Sequence, residues 1–249
     1  DEFGKLTVVE ELGLRSLHFE STARQSAMFL NDSINLALPY SRSMFGAMLF
    51  MQKPRSVLIM GLGGGSLPKF ILHHIKTCQI EVVELRAKVV DMAREYFALP
   101  YDDRLIVHVS SAEEFLSRKI TGLYDWVMID LYNGDGMAPV LDTTDFVVSC
   151  KEMLSAEGIV SINLWAGQNT RQLQKITSSL HDNFGDCVYF LPVPGKGNMI
   201  AIACNFSPPP LGNSQLLSVA EKLEELFDME FVEFQDRMFR YNPGSNVRL

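Results

Sequence analysis

At 249 residues and 47% hydrophobic side chains, the chain can build one large domain, or one domain with small appendages, and no stretch has a disordered composition. No apolar run reaches the eighteen or so residues of a membrane span. The opening DEFGKL lacks the apolar centre of a secretion signal and also an initiator Met, which leaves a trimmed or altered start open. A net charge of −8 opposes nucleic-acid phosphates and favours a cationic substrate, although such an excess is common on soluble proteins.

In chain order, Leu6–Glu11 and Leu14–Phe19 read as two strands joined tightly at Leu12-Gly13, with a third over Ala27–Leu30 before the turn Asn31-Asp32-Ser33. This small β region, taken as residues 1–38, is too small to stand alone and is expected to pack on the main domain, residues 39–249, or on a partner subunit. Pro39–Met51 has the apolar spacing of a helix.

Ser56–Met60 is a short apolar run suited to a strand buried on both faces. Gly61, Gly63, Gly64 and Gly65 follow, where a backbone without Cβ atoms can turn sharply beside a ligand. Pro68 then suits the first turn of a helix. The loop is G-x-G-x-G, with Ser66 where a dinucleotide-binding loop has its last glycine. Ile80–Val83 is a second apolar strand. It ends in Glu84, about twenty residues on, where an acid either binds ribose hydroxyls or simply closes the strand in solvent. Strand, glycine turn and spaced acid together point to a nucleoside-containing cofactor.

Ala87–Phe97 is expected to be a helix and Leu105–Val109 a strand. Ser110 or Ser111 then caps a helix around Glu113–Arg118. A buried strand, Trp126–Ile129, ends in Asp130 and leads into a loop, 131–144, that carries Asp135 and Asp142. Beyond it lie a helix over Asp145–Leu154, a turn at Glu157-Gly158, a strand over Ile159–Leu164 and a helix over Arg171–Phe184. A hairpin of Cys187–Phe190 with Met199–Cys204 follows, then a stiff break at Ser207–Pro210 and a last amphipathic helix over Leu216–Phe227. Cys78, Cys150, Cys187 and Cys204 are scattered, which argues against a zinc or redox motif and fits a reduced cytoplasm. His73 and His74 are adjacent and make a poor metal pair on a helix. No metal is expected. Strands alternating with helices and closing on a hairpin describe an open, mostly parallel α/β sheet with an antiparallel edge, whose ligands sit at the strand carboxyl ends. Gly61–Gly65, Glu84, Ser110–Ser111 and Asp130 all fall at such ends.

Three motifs resemble the spermidine synthase family of polyamine aminopropyltransferases, a branch of the Rossmann-like class I S-adenosylmethionine-dependent methyltransferase fold. They are VLIMGLGGGSLPKFI, VVELRAKVVDMAREYF and YDWVMIDLYNGDG. The resemblance covers about Leu30–Cys204. It implies a donor, decarboxylated S-adenosylmethionine, lying across Gly61, Gly63, Gly64 and Gly65, with its ribose on Glu84 and its adenine near Ser110 and Ser111. It further implies a catalytic Asp130, with Tyr40 lining the pocket of a small amine or polyamine acceptor, and a homodimer.

The departures from the family are specific. Gly64 stands where the family has an aspartate that holds the donor's amino group, Asn133 replaces a second acceptor-site aspartate with Asp135 close by, and Ser111 replaces the adenine-reading aspartate. Ser41-Arg42 replaces a His-Glu or Gln-Glu pair, and a late acceptor-site tyrosine is missing from LPVPGKGN. The leading expectation is aminopropyl transfer to an amine such as putrescine, with Asp135 either holding a distal ammonium or solvated. The rivals are methyl transfer from ordinary S-adenosylmethionine to a protein amine or small molecule, and a non-catalytic cofactor-binding protein. A nicotinamide oxidoreductase is least favoured, given Ser66.

Overall fold

The computed structural model describes residues 1–20, 24–118, 121–134, 136–143, 145–167 and 170–242. Strands β1 (Leu6–Glu11), β2 (Leu14–Phe19) and β3 (Arg24–Phe29) form an antiparallel sheet in that order. The third strand starts earlier than its apolar residues suggested, because pairing with β2 runs on to Arg24.

This sheet does not stand apart. Leu17, Met28 and Leu36 are buried in the same core as Phe70 and Val89. The Arg15 guanidinium donates to the Tyr96 carbonyl, and Arg86 pairs with Asp1 at 2.5 Å and donates to the Gly4 carbonyl at 2.8 Å.

Pro39–Met51 resolves into helix α1 (Pro39–Met44) and a 3₁₀ turn, Phe45–Leu49, whose five residues are all buried. The chain then alternates: β4 (Ser56–Met60), α2 (Ser66–His74), β5 (Gln79–Glu84), α3 (Ala87–Tyr96), β6 (Leu105–Val109), α4 (Ala112–Leu116) and β7 (Tyr124–Ile129). The expected loop 131–144 contains a two-residue hairpin, β8 (Tyr132–Asn133) with β9 (Gly136–Met137), and a 3₁₀ turn at Pro139–Asp142. Helix α5 (Phe146–Met153) leads directly into β10 (Leu154–Trp165). The expected Glu157-Gly158 turn is an irregularity within that strand, where pairing with β7 jumps from Leu154 to Ile159. Helix α6 (Thr170–Phe184) and the hairpin β11 (Val188–Pro192) and β12 (Asn198–Cys204) follow.

The seven-stranded sheet has the order β11-β12-β10-β7-β4-β5-β6, parallel from β10 to β6 and antiparallel at β11 and β12. This is the open α/β sheet with an antiparallel edge that the element order implied. One buried cluster, with Phe45, Phe70 and Trp126, covers one face. A second, with Val127, Phe146 and Leu180, covers the other.

The last expected helix is α7 (Ser214–Phe227), and a further one, α8 (Phe231–Tyr241), buries Phe231, Phe234 and Met238. Its end closes the outer edge of β11. The Asn242 amide exchanges hydrogen bonds with both the N–H (2.9 Å) and the carbonyl (2.8 Å) of Phe190, and Arg237 donates to the Pro192 carbonyl at 2.7 Å.

Candidate active site

The parallel register brings the carboxyl ends of β4, β5 and β7 level. Gly61 N–H donates to the Val83 carbonyl at 2.8 Å and Asp130 N–H to the Met60 carbonyl at 2.9 Å. The glycine loop crosses this rim with Gly61, Gly63 and Gly65 all at positive φ, and Gly65 is the N-cap of α2. Gly61 is required twice over: its φ of +96° strains any L side chain, and a Cβ there would overlap the Asp130 carbonyl.

A Cβ at Gly64 would lie 2.8 Å from both the Phe97 ring and the Ser26 hydroxyl, so neighbours occupy the space a side chain would need. Strand β3 lies over this loop, and the Ser66 hydroxyl donates to the Ala27 carbonyl at 3.3 Å.

Glu84 is only 8% exposed, and its two oxygens accept the N–H groups of Leu62 and Arg86, each at 3.0 Å. Burial pushes its carboxyl upward while these backbone donors pull it down. An ionised carboxylate has about four lone-pair sites, so the backbone donors of Leu62, Gly63 and Arg86 still leave acceptor capacity for a hydroxyl. Its burial is at odds with an acid that merely closes the strand in solvent: it braces the loop and still presents oxygen atoms to it.

Ser111 is the N-cap of α4, its hydroxyl accepting the Glu114 N–H at 3.1 Å. The Ser110 hydroxyl donates to Glu114 at 2.9 Å. Both serines thus organise the turn after β6. Beside them the strand ends carry apolar surface, with Leu85 and Val109 exposed.

Asp130, just past the end of β7, has a partner on each carboxylate oxygen. Its Oδ2 lies 3.1 Å from the Tyr40 hydroxyl on α1, and its Oδ1 accepts from the Asn163 side-chain amide at 2.8 Å. Burial raises its carboxyl from the ordinary range, and these two neutral donors lower it. The same burial and the neighbouring Asp130 charge push Tyr40 well above the usual phenol range, so it stays a proton donor. Beside this pair is a cavity of about 20 Å³, room for a water molecule, lined by Gln25, Ser26, Tyr40, Gly63, Ser66 and Asp130 among others.

The structure therefore brings together Tyr40, Asp130 and the glycine loop, which sequence motifs put forward separately. Asp135 lies outside the described residues. Asn133 caps its own hairpin, accepting the Gly136 N–H at 3.1 Å. Arg42, at the position of the replaced pair, is used elsewhere: its guanidinium holds Glu230, with Nε 2.8 Å from Oε2, and ties α1 to the α7–α8 junction.

Sequence reading missed Asn163 and Asn198, which join Asp130 in one hydrogen-bonded chain. It also missed Lys69, which is 2% exposed on α2 and donates to the Phe97 carbonyl at 2.5 Å. A lone lysine inside the apolar run SLPKFIL was the available signal for the last. Among the described residues, no cluster of His, Cys, Asp and Glu is placed to hold a metal ion.

A family model described as the spermine/spermidine synthase domain matches residues 38–205. The chain is 32% identical to a polyamine aminopropyltransferase of Chromobacterium violaceum, over 96% of this chain and 90% of that one. It is also 28% identical to the bovine eEF1A lysine and N-terminal methyltransferase, over 71% of this chain but 26% of that larger protein. Among solved structures, a probable spermidine synthase from Corynebacterium glutamicum superposes with a TM-score of 0.77 at 16% identity, over 98% of this chain and 92% of that one.

Proposed function

The chain belongs to the spermine/spermidine synthase family, and from that premise we propose that it transfers an aminopropyl group from decarboxylated S-adenosylmethionine to an amine acceptor such as putrescine. The observation that carries this reading is the Asp130 carboxylate, set beside the glycine loop with one oxygen facing the Tyr40 hydroxyl at 3.1 Å. The donor supplies a sulfonium, which needs no acid to activate its leaving group. The residues' work is to position the reactants and to deliver a neutral amine. Asp130 accepts the proton that the acceptor's ammonium must lose. The nitrogen lone pair then attacks the carbon next to sulfur, the carbon–sulfur bond breaks, and its electron pair leaves on a neutral thioether. Tyr40 holds the carboxylate in place through this exchange. Gly61, Gly63, Gly64 and Gly65 cradle the donor, Glu84 takes its ribose, and the surface around Leu85, Ser110 and Ser111 takes its base.

A second reading, methyl transfer from ordinary S-adenosylmethionine, is favoured by the surroundings of Gly64. With Phe97 and Ser26 filling that space, no carboxylate stands there to repel the carboxylate of the ordinary donor, a repulsion of roughly a few kcal/mol at intermediate dielectric.

The test is calorimetry with both donors side by side, followed by turnover with putrescine. Tighter binding of the decarboxylated donor and release of methylthioadenosine support the first reading. Preference for the ordinary donor moves the assignment to methyl transfer, and binding of neither removes both. Asp130→Asn should keep donor affinity and lose turnover.

A further inference from the structure

We propose that Asn163 is a positioning residue for Asp130, the working end of a relay of amides that starts at Asn198 on the antiparallel edge of the sheet. The inference rests on the reading of Asp130 as the group that takes the acceptor's proton.

The geometry is directional. Asn198, on β12, donates its side-chain N–H to the Asn163 side-chain oxygen at 2.9 Å. Asn163, on β10 and 2% exposed, donates in turn to Asp130 Oδ1 at 2.8 Å. An ionised carboxylate only accepts, so the amide atom facing Asp130 must be nitrogen, and this fixes the sense of every bond behind it. Tyr132, on β8, donates its hydroxyl to the Asn163 backbone carbonyl at 3.2 Å and anchors the same residue from the other side. Asn198 is itself set by the β11–β12 turn, where its carbonyl accepts the Val193 N–H at 3.0 Å.

Asp130 is therefore gripped on one oxygen by a buried amide and on the other by the Tyr40 hydroxyl. Both donors are neutral, so neither cancels the charge of the ionised form, and each oxygen keeps a remaining lone pair. The titratable groups facing it are Tyr40 from α1 and Tyr132 from β8, and no charged side chain bonds to it among the described residues. A buried amide spent on a carboxylate rim, with a second amide behind it, is a polar network whose members all have partners. Such a network specifies one orientation.

The experiment titrates the Asp130 carboxyl directly, by carbon NMR of the aspartate-labelled full chain, with Asp130→Asn assigning the signal. Removing one donor to the ionised form raises the carboxyl, so Asn163→Ala should titrate about one pH unit higher than wild type. Asn198→Ala, at a partly buried position, should move it the same way by less, and Asn163→Gln should restore part of the difference. In turnover with decarboxylated S-adenosylmethionine and putrescine, the acid limb of kcat should follow the same shift and kcat should fall about tenfold, with donor Kd within twofold. An unmoved titration in a folded Asn198→Ala chain overturns the relay, as does an Asn163→Ala chain that folds and titrates like wild type. If Asp130→Asn retains wild-type turnover, the reading of Asp130 falls instead, whatever the titrations give.

Discussion

The Tyr40 hydroxyl and the Asp130 carboxylate, ninety positions apart, meet at 3.1 Å across the rim of the parallel sheet. The same hydroxyl lies 3.2 Å from the Gln25 carbonyl, and it has one proton to give. The charged acceptor makes the stronger bond, so the proton goes to Asp130. Tyr40→Phe keeps the ring packing and removes that donor. Turnover should fall roughly tenfold with donor affinity retained, and steady-state kinetics beside calorimetry reads both quantities. An equal loss in donor affinity would mean that Tyr40 shapes the donor pocket rather than the carboxylate.

Gly61 and Gly64 should respond differently to the same methyl group. Gly61→Ala meets both positive φ and the Asp130 backbone, which cannot move without the strand, so a loss of about 3 kcal/mol or more is expected. Gly64→Ala meets only the Phe97 ring and the Ser26 hydroxyl, side chains able to shift, and should cost about 1–2 kcal/mol. Urea unfolding of the two variants checks the order, and Ser26→Gly should recover part of the second loss.

Lys69 makes a pH signature. Burial lowers its ammonium to about 8, against an ordinary value of 10.5 when the chain is unfolded. Between these values the unfolded chain binds more protons than the folded one, so this residue adds stability as pH rises through that window, up to about 3 kcal/mol. The buried thiols of Cys78, Cys150 and Cys204 are pushed up and act in the opposite direction over the same range. The measurement is therefore the difference between wild type and Lys69→Met in denaturant unfolding at pH 7.5 and pH 10. Wild type should gain on the variant as pH rises, and a constant difference would contradict the assignment.

The Arg42–Glu230 pair joins α1 to the junction of α7 and α8 at a partly buried site, with further donation from Arg42 to the Asp228 carbonyl at 3.2 Å. Arg42→Ala leaves the Glu230 carboxylate without its cation and should cost about 1–2 kcal/mol. Because Tyr40 shares α1, turnover should weaken as well, and thermal denaturation with kinetics on one preparation tests both.

Most elements were legible because their signals are local. Val57–Met60 is apolar throughout since β4 is covered on both faces, and Ser111 caps its helix as its position before Ala112 suggests. The missed helix α8 carries Phe231, Phe234 and Met238 at helical spacing, and the left-handed Asp228 that separates it from α7 has no glycine to mark the break. In the site, Tyr40 and Asp130 were found through motif resemblance, whereas Asn163 and Asn198 belong to no motif. Their role exists only once β10 and β12 pair antiparallel, with Trp165 opposite Asn198, and a single sequence does not display that register. Gly64 was visible as a departure, but only packing reveals that Phe97 and Ser26 have taken up its space.

The way α8 ends against β11 bears on what that edge of the sheet can recruit. An outermost strand offers a rail of backbone donors and acceptors on which another chain can add a strand of its own. Here the Asn242 amide imitates that missing neighbour at Phe190, Arg237 takes the Pro192 carbonyl, and proline contributes no N–H at all. The C-terminal helix is in this sense a stopper, ending sheet growth with two side chains rather than another strand. A chain cut back to Phe227 would present the bare rail together with the apolar surface that α8 covers, and would be prone to polymerise edge to edge.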